Sequence, residues 1–375
     1  MGTIGMLATI MIFVMIFVVL NRTCRPLTMH TLRYIRAVLC TVLALGLTAC
    51  QKKGDTPDWD TSGNKQPLSG QSAAKSSPAH SKKSNPKTSS ENQVSTPIES
   101  DPGNLRFITY NVENWLTMDR YVDNKLVNKR PKPDQEKNAV IHILAAQSPD
   151  VIGLCEIGEV TDLAEIQESL KAAGLDLPHS HYTGGSDPVR HIGLLSRFPI
   201  VSTAKPAESE YQLNGQTLGI NRGILDVTIR VRGKSYRFVG VHLKSKREVE
   251  QRDQEEMRIN EAHLLRRHLD SIFQSDPKAR LIVYGDFNDT YPSKAVRSIT
   301  SSPDALQRMI PIYFKDSHGE AWTHYWKNQD IYSRIDYVTV SITIKPEVNF
   351  RACHIIDDPQ WDQASDHRPL LAIFR

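Results

Sequence analysis

Between residues 105 and 375 the chain keeps returning to one arrangement: a short apolar run of strand length, with a polar or ionisable residue at its tip. Asn111 follows Phe107-Ile108-Thr109-Tyr110, Glu156 follows Val151-Ile152-Gly153-Leu154-Cys155, and His242 follows Phe238-Val239-Gly240-Val241. Asp286 and Asn288 follow Leu281-Ile282-Val283-Tyr284-Gly285, Asp336 lies in Ser333-Arg334-Ile335-Asp336-Tyr337, and Ser365-Asp366-His367 leads into the terminal apolar run. One polar strand tip is routine. A whole series of them, as Asn, Glu, His, Asp and Asp-His, restricts the chain to a fold in which strand tips converge, because rigid strands position side chains better than loops do.

The remaining pattern fits that restriction. Strands are expected at 105–110, 150–155, 192–196, 224–231, 236–241, 281–284, 335–340 and 369–374, with a turn at Arg232-Gly233-Lys234. Helical spacing of apolar residues marks 135–146, 163–173 and a long charged helix over 251–273. Mixed strands and helices over this length predict an α/β (α+β) domain: two sheets packed face to face, with helices outside.

The first 104 residues are of a different kind. Residues 1–20 carry no charge and are almost wholly apolar. From Met29 a basic start (Arg33, Arg36), an apolar centre (Ala37–Leu47) and Thr48-Ala49-Cys50 form a secretory signal. Leu47-Thr48-Ala49-Cys50 is similar to a bacterial lipobox, which implies lipidation of Cys50, anchorage to a membrane, and a place in the cell envelope, on the outer membrane or another extracytoplasmic face. Residues 1–28 then form an apolar leader upstream of the true start, and 29–50 the lipoprotein signal peptide. Residues 51–104 are rich in Ser, Lys and Pro and poor in large aliphatics, so they cannot bury enough apolar surface to offset chain entropy; a disordered tether is expected.

Charge constrains the partner. The first fifty residues hold Arg22, Arg25, Arg33 and Arg36 and no acid, and 51–104 hold seven Lys against six acids; against a whole-chain charge of +4, the part beyond 104 stands at about −1. That is not the strongly positive surface of a dedicated duplex-DNA binder. Of the five cysteines only Cys155 and Cys353 lie beyond the N-terminal region, so no disulfide framework is expected, and Cys155 inside an apolar run reads as a buried, inert thiol.

The residue types at the tips suit one chemistry. Glu156 and Asp366, with Asn111, supply the hard oxygen ligands that Mg²⁺ or Mn²⁺ takes, with Ca²⁺ a further candidate, and no Cys–His zinc spacing is present. His242 and His367 can donate hydrogen bonds to phosphate oxygens, and Asp336 can hold His367 in the required tautomer. Asp286 and Asn288, two apart after a glycine, can orient a water. Together these are the requirements of phosphoester hydrolysis. Among the other polar residues, Lys244, Lys246 and Arg247 read as a solvated helix start, and His263 and His268 as surface residues. Trp115, Trp322, Trp326 and Trp361 read as packing under loops.

Taken together, Thr109-Tyr110-Asn111-Val112-Glu113-Asn114-Trp115, Leu154-Cys155-Glu156-Ile157, Gly285-Asp286-Phe287-Asn288-Asp289, Arg334-Ile335-Asp336-Tyr337 and Ser365-Asp366-His367-Arg368-Pro369-Leu370 resemble the successive motifs of the endonuclease/exonuclease/phosphatase (DNase I-like) superfamily, in order, over residues 105–375. The resemblance implies a four-layer α/β/β/α sandwich. It implies that Glu156 is the principal metal ligand with Asn111 and Asp366 near the same ion, that Asp286 and Asn288 handle the attacking water, and that His367, oriented by Asp336, and His242 contact the scissile phosphate. Arg222 is a further candidate phosphate contact. One departure is visible: where DNase I-type enzymes have a glutamate partnering the histidine equivalent to His242, this chain has Arg190. Either His242 is held differently or Arg190 reaches the phosphate. The expected function is a metal-dependent phosphodiesterase, an extracytoplasmic nuclease acting as a monomer, with a phosphatase or sphingomyelinase-like enzyme as the alternative.

Overall fold

The computed structural model describes residues 103–123, 125–247 and 253–375. The leader, the signal peptide with Cys50 and the tether, except its last two residues, lie outside the described residues. The strands are β1 (Leu105–Trp115), β2 (Met118–Val122), β3 (Lys125–Arg130), β4 (Val151–Ile157), β5 (His179–Thr183), β6 (His191–Ser196), β7 (Ile200–Thr203), β8 (Glu210–Leu213), β9 (Gln216–Gly219), β10 (Ile224–Val231), β11 (Lys234–His242), β12 (Leu281–Asp286), β13 (Met309–Pro311), β14 (His324–Trp326), β15 (Ile331–Ser333), β16 (Asp336–Ser341), β17 (His354–Ile355) and β18 (Leu370–Phe374). The helices are α1 (Asp134–Ala146), α2 (Val160–Ala172), α3 (Gln254–Ser275), α4 (Lys294–Thr300) and α5 (Trp361–Ala364).

Two six-stranded sheets result, in the orders β17-β18-β1-β4-β6-β5 and β13-β16-β12-β11-β10-β7. Their layering follows from period-two alternation of side chains. In β1, Leu105 and Phe107 point between the sheets, whereas Ile108 and Tyr110 point at α1 and α2. In β12, Ile282 and Tyr284 point between the sheets, whereas Leu281 and Val283 meet α3 and α4. Three apolar layers therefore separate four structural ones, and the expected α/β/β/α sandwich is what the chain forms. The long charged helix begins at Gln254, where the Asp253 carboxylate caps it by accepting from the Glu255 and Glu256 amides at 2.8 and 3.1 Å. Among the described residues no helix is long and apolar enough to cross a membrane.

Several buried groups correct the sequence reading. His268 is not a surface residue: α3 carries it inward, where its Nε2 lies 2.7 Å from Asp226 Oδ2, and Asp226 also accepts from Arg237 at 2.6 and 2.7 Å. The buried Asp226 carboxylate on β10 needs donors, and His268 supplies one from the helix. His263 is exposed, as expected. Trp115 is core, whereas Trp322, Trp326 and Trp361 are half-buried, with Trp322 packed between Trp361, Tyr332 and the Arg368 guanidinium. Cys155 and Cys353 are free and buried, and burial pushes both thiols up.

The inter-sheet layer has one tight crossing. The ring of Tyr284 lies across from Gly153 on the facing sheet, where a Cβ would stand 2.1 Å from its Cε2. Phe107 meets the same ring edge-on at 5.0 Å. Gly153→Ala is expected to destabilise the domain by about 1–3 kcal/mol through overpacking. In a Tyr284→Leu background that cost should shrink, as measured by urea unfolding; an equal cost in both backgrounds would refute the contact.

Candidate active site

The same alternation that fills the inter-sheet layer with apolar side chains also points the polar tips into it. Asn111 shares the parity of Leu105 and Phe107, His242 that of Phe238, Asp286 that of Ile282 and Tyr284, and Asp336 that of Val338 and Val340. His242 and Asp286 are register partners on the parallel strands β11 and β12, and Asp286 and Asp336 on the antiparallel β12 and β16. The close approach at that point depends on Gly285, whose φ is +126° and whose added Cβ would meet the Val241 carbonyl at 1.9 Å. At one end of the sandwich the apolar filling thus gives way to a buried polar cluster.

Glu156 reaches the cluster differently. Counting from Cys155, alternation would send it to the helix side of β4. Instead Glu156 takes φ of +65°, and β4 shifts register against both neighbours between Cys155 and Ile157. This bulge turns the carboxylate inward. Oε2 accepts from the Asn114 amide at 2.9 Å and Oε1 from Asn111 Nδ2 at 3.2 Å.

Asn111 is the hub. Its Nδ2 also lies 3.2 Å from Asp286 Oδ2 and 3.3 Å from His367 Nε2, while its Oδ1 accepts from the Glu113 amide at 3.1 Å. His367 Nδ1 pairs with Asp336 Oδ2 at 2.8 Å, and that same oxygen accepts from Thr323 Oγ1 at 2.7 Å. With Nδ1 committed to the carboxylate, Nε2 is aimed at the cluster, 3.8 Å from Asp286 Oδ2. Ser365 fixes the segment, donating to the Asn111 carbonyl at 2.8 Å and accepting from the His367 amide at 3.0 Å. His242 Nε2 stands 3.6 Å from Asp286 Oδ2 and 3.9 Å from Glu156 Oε1; among the described residues none takes its buried Nδ1. Asn288, at φ +51°, donates from its amide to Asp286 Oδ1 at 2.8 Å and from Nδ2 to the Leu243 carbonyl at 3.0 Å.

The Asp366 carboxylate lies 3.8 Å from His367 Nε2 and 3.6 Å from His324 Nε2. Arg190 is at the site, its Nε donating to Asn114 Oδ1 at 2.8 Å and lying 3.9 Å from Glu156 Oε2. Arg222 is buried, its Nε 3.3 Å from Asp187 Oδ2, and among the described residues Nε and Nη1 have no partner in hydrogen-bond geometry. Lys244, expected to be solvated, is buried; its Nζ turns back to the Arg247 carbonyl at 3.2 Å, its amide donates to Glu261 at 2.6 Å, and burial with Arg222 lowers its ammonium to about 8.

The electrostatics are those of acids crowded out of water. Burial, reinforced by Asp336, pushes the Asp286 carboxyl up to about 7. Burial would lower His367, but Asp336 holds it well above the usual imidazole range, whereas burial and Arg222 hold His242 well below it. Burial would likewise raise Asp366, yet His324 and His367 bring it to about 2. One imidazole is thus disposed to carry charge and the other to stay neutral. Oxygen and nitrogen ligands sufficient for a cation gather in Asp286–Asp336–His367 and in His324–Asp366–His367.

Four participants escaped the sequence reading: Glu113, Asn114, Thr323 and His324. Glu113 accepts from the Asp366 amide at 3.1 Å, and burial and Asp366 push its carboxyl up to about 8. His324 faces His367 with ring centroids 4.6 Å apart. Glu113 and Asn114 lie inside the first motif and were within reach of inspection. Thr323 and His324 sit between two tryptophans with no apolar run beside them, so no strand-tip signal marks them.

A family model described as the Endonuclease/Exonuclease/phosphatase family matches residues 99–331. No curated protein matches the chain by sequence. Among solved structures, an endonuclease/exonuclease/phosphatase family protein from Leptotrichia buccalis is similar with TM-score 0.51 and 17% identity, covering 72% of this chain and 99% of its own. The human Nocturnin catalytic domain gives 0.50 and 22%, with 74% and 96% covered, and truncated Caenorhabditis elegans TDP2 gives 0.50 and 16%, with 72% and 98% covered. These identities carry the fold alone. The family match extends over more than half of the sequence and includes Asn111, Glu156, His242, Asp286 and Asn288; the chain belongs to the endonuclease/exonuclease/phosphatase family, a family of phosphoester hydrolases.

Proposed function

We propose that this protein is a divalent-metal phosphodiesterase that cleaves nucleic acid outside the cytoplasm, tethered to the envelope through Cys50. The observation that carries the hydrolytic reading is the buried hub of Asn111, with Glu156, Asp286 and His367 all within hydrogen-bond reach of one amide. A merely structural cluster has no need to bring two carboxylates and an imidazole to one point with so little positive charge to balance them.

The residues present fit a hard cation. Glu156 and Asn111 would hold Mg²⁺ or Mn²⁺, with Asp366 as a further oxygen ligand, and the raised Asp286 carboxyl is what a group of acids does when a compensating charge is wanted. The ion supplies charge stabilisation to the phosphoryl oxygens and acidity to a water. The chain supplies the rest. Asp286, its second oxygen fixed by the Asn288 amide, orients the attacking water and takes its proton. His367, charged and pinned by Asp336, donates through Nε2 to a phosphate oxygen as negative charge grows there. His242 donates from Nε2 as a neutral imidazole, and Arg222 and Arg190 bring guanidinium charge to the same phosphate. The nuclease reading also rests on the segment His242-Leu243-Lys244-Ser245-Lys246, which is similar to secreted bacterial nucleases.

Two outcomes are expected. Asp336→Asn should leave the fold intact and lower kcat by about 10²–10⁴-fold, because His367 loses its tautomer and its charge; Thr323→Val, which removes only the hydroxyl behind Asp336, should lower it by about 3–10-fold. Full activity in Asp336→Asn by steady-state kinetics would disprove the dyad. Separately, EDTA and Glu156→Gln should each abolish hydrolysis, with Mg²⁺ or Mn²⁺ restoring the chelated enzyme only. Plasmid DNA and RNA should be cut in preference to sphingomyelin and inositol phosphates, and preference for either of the latter would overturn the nuclease reading.

A further inference from the structure

Beside the catalytic cluster an open groove of about 540 Å³ has Lys246, Glu255, Arg258, Asp289, Lys294 and Arg297 in its lining. It is joined to the cluster through the chain itself. Asp289 is the next residue after Asn288, and Lys246 is four residues past His242. Four cationic side chains face two acids here, although the region beyond residue 104 as a whole stands at about −1.

The cations are of two kinds. Arg258 is buried and locked, its Nε donating to Asp289 Oδ2 at 3.1 Å and its Nη1 to the Lys244 carbonyl at 3.1 Å. Asp289 is thereby occupied, with Lys246 3.7 Å away on its other oxygen. Lys294 and Arg297 are exposed and three apart on α4, hence on one face of it, and among the described residues neither has an acidic partner. Like charges so placed cost the helix stability unless an anion lies across them. A phosphoester with a single phosphate, such as sphingomyelin, is used up within the catalytic cluster and has no second phosphate to offer. A polynucleotide carries one at every step along the strand.

We infer that this groove is a flanking-phosphate subsite: Lys294 and Arg297, backed by Arg258 and Lys246, bind a backbone phosphate of the nucleic-acid strand whose scissile phosphate lies among His242, Asp286 and His367. The inference rests on the nuclease reading for its substrate class. It also accounts for a nearly neutral domain handling a polyanion, since the positive charge is concentrated where the strand passes instead of being spread over the surface.

The test is binding, so that it is separable from cleavage. The full chain in detergent, in the Glu156→Gln background, is titrated against a fluorescein-labelled DNA duplex by anisotropy at several salt concentrations. Lys294→Glu with Arg297→Glu is expected to weaken Kd by about 10-fold or more and to make the slope of log K against log salt shallower by about 2. The exposed Lys278→Glu, elsewhere on the surface, should do neither. In the catalytically intact background, hydrolysis of bis(p-nitrophenyl) phosphate should be unchanged by the double substitution. An unchanged Kd and slope, no binding of duplex by the parent, or loss of binding to anionic vesicles with DNA binding unaffected would each overturn the subsite. Intact binding that responds to the double substitution, without any cleavage of DNA by the Glu156-containing chain, would sink the nuclease reading and leave the subsite standing.

Discussion

Alternation of side chains along a strand, applied to two sheets at once, is the constraint on which this molecule depends. The face of each strand that packs Phe107, Phe238, Tyr284 or Val338 between the sheets is also the face that, one or two steps further on, carries Asn111, His242, Asp286 or Asp336. The core and the site are therefore one surface with two compositions. Sliding any of these strands by one residue would remove an apolar side chain from the core and a polar one from the cluster together. Stability and chemistry are held to the same register.

The polar end of that surface is costly to maintain. Three carboxylates, Glu156, Asp286 and Asp336, meet around one amide and two imidazoles, and burial with mutual repulsion raises Asp286 to about 7. Neutral donors take up part of the cost: the Asn111 side-chain amide addresses one oxygen each of Glu156 and Asp286, and the Thr323 hydroxyl and the backbone amides of Asn114 and Asn288 address Asp336, Glu156 and Asp286. Those bonds fix where the acids point without neutralising them. A site so arranged is rigid before anything binds and is short of positive charge, which is the condition under which a cation and an anionic phosphate enter together.

Much of this was visible in the sequence because it follows from local rules. Apolar runs gave the strands, and the residues at their tips gave Asn111, His242, Asp286, Asp336 and His367. What escaped depends on contacts no local rule contains. His268 lies on the buried side of α3 because Asp226, forty-two positions earlier, needs a donor. Lys244 is buried because Glu261 takes its amide. His324 joins through a bridge to His367 on a two-stranded ribbon that has no core of its own. Glu156 was picked out as a strand tip like the others, yet strict alternation would have sent it to the opposite face of β4.

That bulge gives the central carboxylate an unusual origin. Its position in the cluster is a property of backbone spacing as much as of side-chain identity, since Glu156 is itself the extra residue that β4 carries against β6 between Cys155 and Ile157. Substitution can remove the glutamate, but no substitution on a regular strand would put one there. A lineage descending from a chain with an unbroken β4 would need an insertion before any acid at this position became useful, and a one-residue deletion would silence the enzyme while leaving every motif residue but one in the sequence.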